Sequence, residues 1–344
     1  MSVMSSSQKI SSLELGRVIA ILAVIALHCQ MFLSYFTYQD EPWFGYVFNQ
    51  LTRFAVPLFF LISGYLIQPK LVASPIVTLK RYARPLFRLW VVWSVICLLV
   101  PFNWPTVAQD GYLAERIGYW DYWLSSPLDA LLEGGLVHLW FIPALIFAVA
   151  ILAWLLQTKR TNLIIPLAVA LYIYGVLAGS YQAVTELSAP FFTRNGPFFS
   201  TLLVSIGFMI RQHAYQLSAV KACVMLGLGL LMHLAEAYAL HPHDQLFNAN
   251  DYLFTTPLWA TGCFLLLLAK PNWGNSPWVF ALSQRILGVY VSHLLVAISM
   301  MNIAGILALQ DGMRDLFVFT GTVIFTLLLV IGIEKTPLRS ILLR

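Results

Sequence analysis

Apolar runs long enough to cross a bilayer recur along this chain, with only short polar breaks between them. A membrane helix needs about 20 mostly apolar residues. The runs place spans at 13–36, 51–69, 85–101, 138–157, 163–180, 197–211, 219–240, 253–270, 286–309 and 316–334. This pattern predicts an all-α, polytopic integral membrane bundle of about ten transmembrane helices. A polar segment, 1–12, would precede the bundle at 13–336, and a short tail, 337–344, would follow it. The first span follows its polar segment without a small-residue cleavage signal, so it reads as a retained helix and not a signal peptide. The longest stretch between spans, 102–137, carries Trp104, Tyr119, Trp120 and Trp123 among acids and is expected to cap one face.

Composition and charge add a direction to the bundle. The 344 residues are 60% hydrophobic and 10% charged, with a mean hydropathy of +0.79, whereas a soluble domain is about 25% charged. Fifteen basic residues, among them Lys9, Lys70, Lys80, Arg81, Arg84, Lys159, Arg285, Lys335 and Arg344, fall on the side of the N-terminus. Only Arg116, Arg194 and Arg314 fall on the other, together with most of the acids. The positive-inside rule then puts both termini in the cytoplasm and favours an even number of spans. The net charge of +5 reflects this topology and contact with the anionic lipids of a bacterial inner membrane, and gives no reason to expect nucleic acid. Cys29, Cys97, Cys223 and Cys263 all lie in apolar stretches as small buried hydrophobes, and no Cys or His spacing points to a metal.

The residues that carry chemistry are the polar ones inside spans, which are costly there and usually line a protein or water cavity. Glu14, Arg17 and His28 share the first span. Glu14 and Arg17 are three apart and can pair. Arg17 and His28 are eleven apart, so they lie on one helical face, roughly 16 Å apart along the axis. Taken singly, Arg17 could snorkel and His28 could bond a neighbouring helix; their shared face favours one cavity with a cation at its mouth and a base at mid-membrane. Arg53 opens the second span and would either snorkel outward or face a substrate anion. Ser63 and Gly64 permit close helix contact. Lys80, Arg81 and Arg84 start the third span as an anchor, although Arg81 and Arg84 also share a face suited to gripping phosphates. His138 and Trp140 begin the fourth span, as an aromatic belt or as site groups. Tyr290 and His293 lie within the ninth span, and Glu334 ends the tenth, where Lys335 could pair with it. A histidine can take the proton from a sugar hydroxyl as it attacks a thioester, with cationic donors stabilising the oxyanion. On residues alone, acyl transfer is one workable chemistry.

Five stretches in order sharpen this: Arg17-x10-His28, Phe59-Phe60-Leu61-Ile62-Ser63-Gly64-Tyr65-Leu66-Ile67, Arg81-x-x-Arg84, His138-Leu139-Trp140-Phe141 and Gly288-Val-Tyr290-Val-Ser-His293. Together they resemble the acyltransferase family 3 membrane proteins, which O-acylate surface carbohydrates. The variant Arg53-x-x-Val56-Pro57-Leu58-Phe59-Phe60 is most similar to the branch containing the enterobacterial common antigen O-acetyltransferase. The resemblance implies a ten-helix fold, acetyl-CoA or succinyl-CoA as cytoplasmic donor, a lipid-linked or periplasmic glycan acceptor, and no metal. By position it implies His28 as catalytic base or transient acyl carrier, and Arg17 beside Glu14 orienting the donor. Arg81, Arg84 and Lys80 would bind CoA, and Arg53, Ser63, His138, Trp140, Tyr290, His293 and Glu334 would stand around the substrates. Some relatives carry a further soluble domain after the bundle. Here the acceptor chemistry is expected in the bundle itself or in a partner from a polysaccharide biosynthesis complex.

Two other classes compete. A transporter or flippase of a lipid-linked saccharide would explain Arg17 and His28, but not the Arg81/Arg84 pair, and would favour an inverted repeat that the sequence does not display. A scaffold whose polar residues only pack helices is disfavoured, because such packing uses small neutral residues.

Overall fold

The computed structural model describes residues 10–343; Lys9, Arg344 and positions 1–9 of the expected leading segment lie outside the described residues. Helices stand at all ten predicted runs. They are α1 Ser11–His28, α2 Trp43–Thr52, α3 Ala55–Ala73, α4 Pro75–Leu99, α5 Phe141–Gln157 and α6 Ile164–Leu177, then α7 Pro197–Gln212, α8 Ala219–Leu240, α9 Thr256–Ala269, α10 Ile286–Ile306 and α11 Asp311–Glu334. No strand occurs among the described residues. Seven helical stretches are long and apolar enough to cross a membrane: α1, α2 with α3, α4, α5, α8, α10 and α11. The other three predicted spans, α6, α7 and α9, have 14, 16 and 14 residues. At 1.5 Å per residue they reach about 21 to 24 Å, short of a hydrocarbon core of about 30 Å.

Prolines set several boundaries. Pro75 has no N–H to lose and starts α4 directly after Ser74, so α3 and α4 form a hairpin. Pro197 and Pro257 likewise open α7 and α9. Between α4 and α5 the expected cap is three short helices, Trp104–Asp110, Tyr112–Leu124 and Pro127–Glu133. Its anchor is the fully buried Arg116, paired with Glu115 and stacked on the Phe102 ring at 4.5 Å. Burial works to raise the Glu115 carboxyl, but Arg116 and the Phe102 and Asn103 amides outweigh it and hold it below the usual carboxylate range.

One boundary differs from the hydrophobic pattern. The apolar run continues to 36, yet α1 ends at His28. Gln30 and Phe32 adopt left-handed backbone (φ 54° and 64°), and the Phe32 N–H and Tyr35 hydroxyl donate to the buried Asp315 carboxylate on α11 at 2.6 and 3.0 Å. The apolar residues here serve an aromatic loop in which Phe32 packs on Phe44 and Phe48. Tertiary bonds to one carboxylate outweigh the local preference for helix.

Helix α1 packs against α3, α9, α10 and α11 and leaves Ile19 and Leu22 exposed, while α8 and α11 expose Val220, Val224, Leu231, Leu316, Phe325 and Leu328. Such apolar outer faces suit lipid and not water. Helices α3 and α7 pack backbone against backbone. A Cβ on Gly64 would run into the Val204 carbonyl, and one on Gly207 into the Leu61 carbonyl, so two glycines a helix apart let both backbones touch. Gly64→Ala should therefore cost about 1–3 kcal/mol by overpacking. Thermal unfolding in detergent would show this as a lowered midpoint, and Gly227→Ala, where a methyl meets nothing within 4 Å, should leave it in place.

Candidate active site

A cavity of about 880 Å³ runs inside the bundle between α1, α3, α4, α5 and α10. Its basic end is walled by Arg17, Lys70, Ser74, Thr78, Arg81 and Tyr82, and its inner end by His28, His138, Trp140 and Tyr290. The helical spacing of α1 thus does place Arg17 and His28 on one cavity. Ser63 lines it midway, on the face of α3 that carries Phe59 and Ile62. Lys70 comes from the end of α3 and Arg81 from the second turn and beyond of α4, so the Ser74–Pro75 turn is what brings them to one mouth. Glu14 stays outside the wall and pairs with Arg17 at 3.2 Å. Lys80 and Arg84 are exposed and stand outside the wall.

The histidines form one chain of contacts. His293 Nδ1 lies 2.7 Å from the Tyr290 carbonyl, which can only accept, so Nδ1 carries the proton and Nε2 is a lone pair. That Nε2 lies 3.2 Å from His28 Nδ1, which itself lies 2.9 Å from the Val24 carbonyl. Both neighbours accept, so His28 Nδ1–H is the donor and its Nε2 is the unprotonated nitrogen left for a ligand in the cavity. His138, on the 3-10 turn Val137–Trp140, donates Nε2–H to the Val291 carbonyl at 3.1 Å and keeps a buried Nδ1 without a partner. The His138 and His293 rings lie 5.1 Å apart, as do those of His28 and His293. The Tyr290 hydroxyl donates to the His138 carbonyl and ties this turn to α10. Among the described residues no carboxylate bonds any of the three, and a neutral histidine stands where a carboxylate often does.

Arg53 and Glu334 stand elsewhere. Arg53 bridges the α2–α3 break to Asp251 at 2.5 Å, to Asn49 at 3.3 Å and to the Asn248 carbonyl at 2.9 Å. Asp251 also holds Arg194, which reaches Glu133 at 3.0 Å. Burial would raise the Asp251 carboxyl, but Arg194 and Arg53 outweigh it and hold it low, whereas burial wins at Glu133 and raises it despite Arg194. Arg53 thus locks three loops at the acidic end together. Glu334 pairs with Arg285 at 2.8 Å at the basic end, and not with its neighbour Lys335. Lys70 counts in the sequence only as one of the basic residues on the side of the N-terminus, and Ser74 and Thr78 are not singled out there. The signal for Lys70 is its place eleven residues before Arg81 with Pro75 between them, a spacing that folds back on itself.

The described residues thus form a polytopic helical bundle whose main cavity joins a cationic mouth to a cluster of histidines. The chain belongs to the acyltransferase domain family, acyltransferase family 3, whose match covers residues 10–334. Among curated proteins it is similar to a serine/alanine racemase of Enterococcus gallinarum, 28% identical over 258 residues, which are 69% of this chain and 34% of that protein. It is also similar to an amino-acid racemase of Enterococcus faecalis, 25% identical over 308 residues, 86% of this chain and 42% of that protein. The chain spans less than half the length of these relatives. No solved structure matches it.

Proposed function

We propose that this membrane acyltransferase moves an acetyl group from acetyl-CoA, entering at the basic end, to a hydroxyl of a surface or lipid-linked glycan. The observation that carries the reading is the single cavity joining Arg17, Lys70 and Arg81 to His28. Three cations at one mouth suit a diphosphate. The roughly 16 Å rise from Arg17 to His28 calls for a donor with an extended arm between its phosphates and its reactive carbonyl, as acyl-CoA has. His28 Nε2 takes the proton of the acceptor hydroxyl as the oxygen attacks the thioester carbonyl. The C–S bond then breaks, and the leaving thiolate recovers the proton from His28. His293 and Val24 hold the Nδ1–H tautomer throughout. Arg84 and Lys80 would serve the outer rim of the donor site, and Trp140 and Tyr290 the inner wall near the acyl group.

On this reading all ten helices cross or enter a bacterial inner membrane with both termini cytoplasmic, and the acceptor comes from a polysaccharide assembly near the branch of the common antigen O-acetyltransferase. The racemase names belong to proteins matched over less than half their length and add nothing about this cavity. The test is radiolabelled acetyl-CoA with protein in nanodiscs and a glycolipid extract of the source cell. Label in a base-labile glycan ester is the expected result. If neither acetyl-CoA nor succinyl-CoA is bound or consumed, the reading fails in favour of a saccharide transporter.

A further inference from the structure

His138 lines the main cavity but takes no part in the proton transfers of His28. It is 2% exposed and sits on the turn Val137–Trp140, where the chain enters α5. Side chain and backbone are both tied to α10. The ring Nε2–H donates to the Val291 carbonyl at 3.1 Å, and the His138 carbonyl accepts from the Tyr290 hydroxyl. With its proton on Nε2, the neutral ring keeps a lone pair at Nδ1. Among the described residues that line this cavity, Nδ1 of His138 is the one buried polar side-chain atom without a hydrogen-bond partner. An acceptor buried without a donor costs stability, and folded proteins keep few of them.

The rest of the wall shows which donor Nδ1 suits. Val24, Phe59, Ile62, Ile142, Leu145 and Leu287 line the cavity with side chains that cannot accept a hydrogen bond. The arm of an acyl-CoA is not apolar, for it carries two amides, the nearer one two carbons from the thioester sulfur. An amide N–H drawn from water into such surroundings needs an acceptor. We infer that His138 Nδ1 accepts the N–H of that nearer amide and so sets how far the thioester reaches. This rests on the acyl-CoA reading of the cavity and adds to it the residue that holds the arm. The match is one-way on both sides. Val291 keeps the proton on Nε2, so Nδ1 only accepts, and an amide N–H only donates. The attacking hydroxyl gives its proton to His28 Nε2, which leaves Nδ1 of His138 to the donor. Helix α10 anchors His138 and carries His293, the partner of His28, so one rigid element registers both the arm and the base.

Two substitutions separate this contact from packing. His138→Gln can place an N–H where Nε2 stands and keep the Val291 bond, but it brings no acceptor to the Nδ1 position. His138→Asn can place its Oδ1 where Nδ1 stands and gives up the Val291 bond. Equilibrium binding of acetyl-CoA to protein in nanodiscs should weaken by about 3- to 10-fold in His138→Gln and by less than about twofold in His138→Asn, the scale of one neutral hydrogen bond. An acetyl-CoA analogue with an ester in place of the nearer amide is the second probe, and it needs no variant to fold. Wild type should bind it about 3- to 10-fold more weakly than acetyl-CoA, and His138→Gln should bind the two alike. The reverse order of variants, with His138→Asn the weaker binder and the lower in thermal midpoint, would overturn the contact and leave His138 as a brace for its turn. Wild type that binds acetyl-CoA and the ester analogue equally would overturn it too, with the acyl-CoA reading still standing. If wild type binds neither, that reading fails and the contact fails with it.

Discussion

His28→Ala should cut glycan acylation by about 10²- to 10⁴-fold, the range for removing a positioned acid–base group, with the protein still inserted and abundant. The side chain makes two polar contacts, to Val24 and His293, and its loss opens no apolar face. The α3–α7 glycine contact and the Arg53–Asp251–Arg194 lock are remote from it in the chain and supply the packing that insertion needs. The loss should fall on kcat, with acetyl-CoA binding retained, because Arg17, Lys70 and Arg81 remain. His293→Leu is the companion measurement. It removes one of two acceptors that fix the His28 tautomer and leaves the Val24 carbonyl, so kcat should fall by about tenfold, the worth of one hydrogen bond. His293→Gln, which keeps an acceptor, should recover part of that loss while both KM values stay put. A His28→Ala protein with wild-type turnover would remove the base. Equal losses for His293→Leu and His293→Gln would show that His293 only packs.

Much of the fold is legible in the hydrophobic pattern because a bilayer allows so little else. An apolar run of about 20 residues has to satisfy its own backbone, and helix is the solution open to a single segment. The first span shows where the pattern stops being enough. Residues 29–36 carry the apolar run on through Met31, Phe32, Leu33 and Phe36, yet bonds to a carboxylate 280 residues later, Asp315, hold them as a loop. The site divides in the same way. Arg17 and His28 are on one helix, so spacing alone aligns them. Arg81 and Arg84 share a face as well, but which of them meets the cavity depends on how α4 is rotated against α3, and that is set by packing far from both. His28, His138 and His293 lie on three segments and meet only when these pack together, His293 touching His28 directly and His138 held to α10 through Tyr290 and the Val291 carbonyl. The sequence leaves Arg53 either to snorkel outward or to face an anion; that Asp251 neutralises it follows from loop contacts with no local trace in sequence.

Removing two of the three mouth cations, in Arg17→Ala/Arg81→Ala, should raise the apparent KM for acetyl-CoA by about 10²- to 10³-fold. A hydrogen bond to a charged group is worth about 1.5–3 kcal/mol, which is about 10- to 100-fold for each arginine. The two would share one diphosphate, so their effects are expected to fall short of the product. The acceptor KM should hardly move, since on the proposed reading both arginines serve the donor. Arg84→Ala, outside the wall, should change donor KM by less than about threefold, the ordinary yield of an exposed charge. The comparison that isolates the phosphates is acetyl-pantetheine, which has the thioester and arm but no phosphate. Wild type should use it as poorly as the double variant does, because neither pairing then has both cation and anion. If the double variant discriminated acetyl-CoA from acetyl-pantetheine as strongly as wild type, the phosphates would have to be held elsewhere, and Lys70 with the start of α4 would be the first place to look.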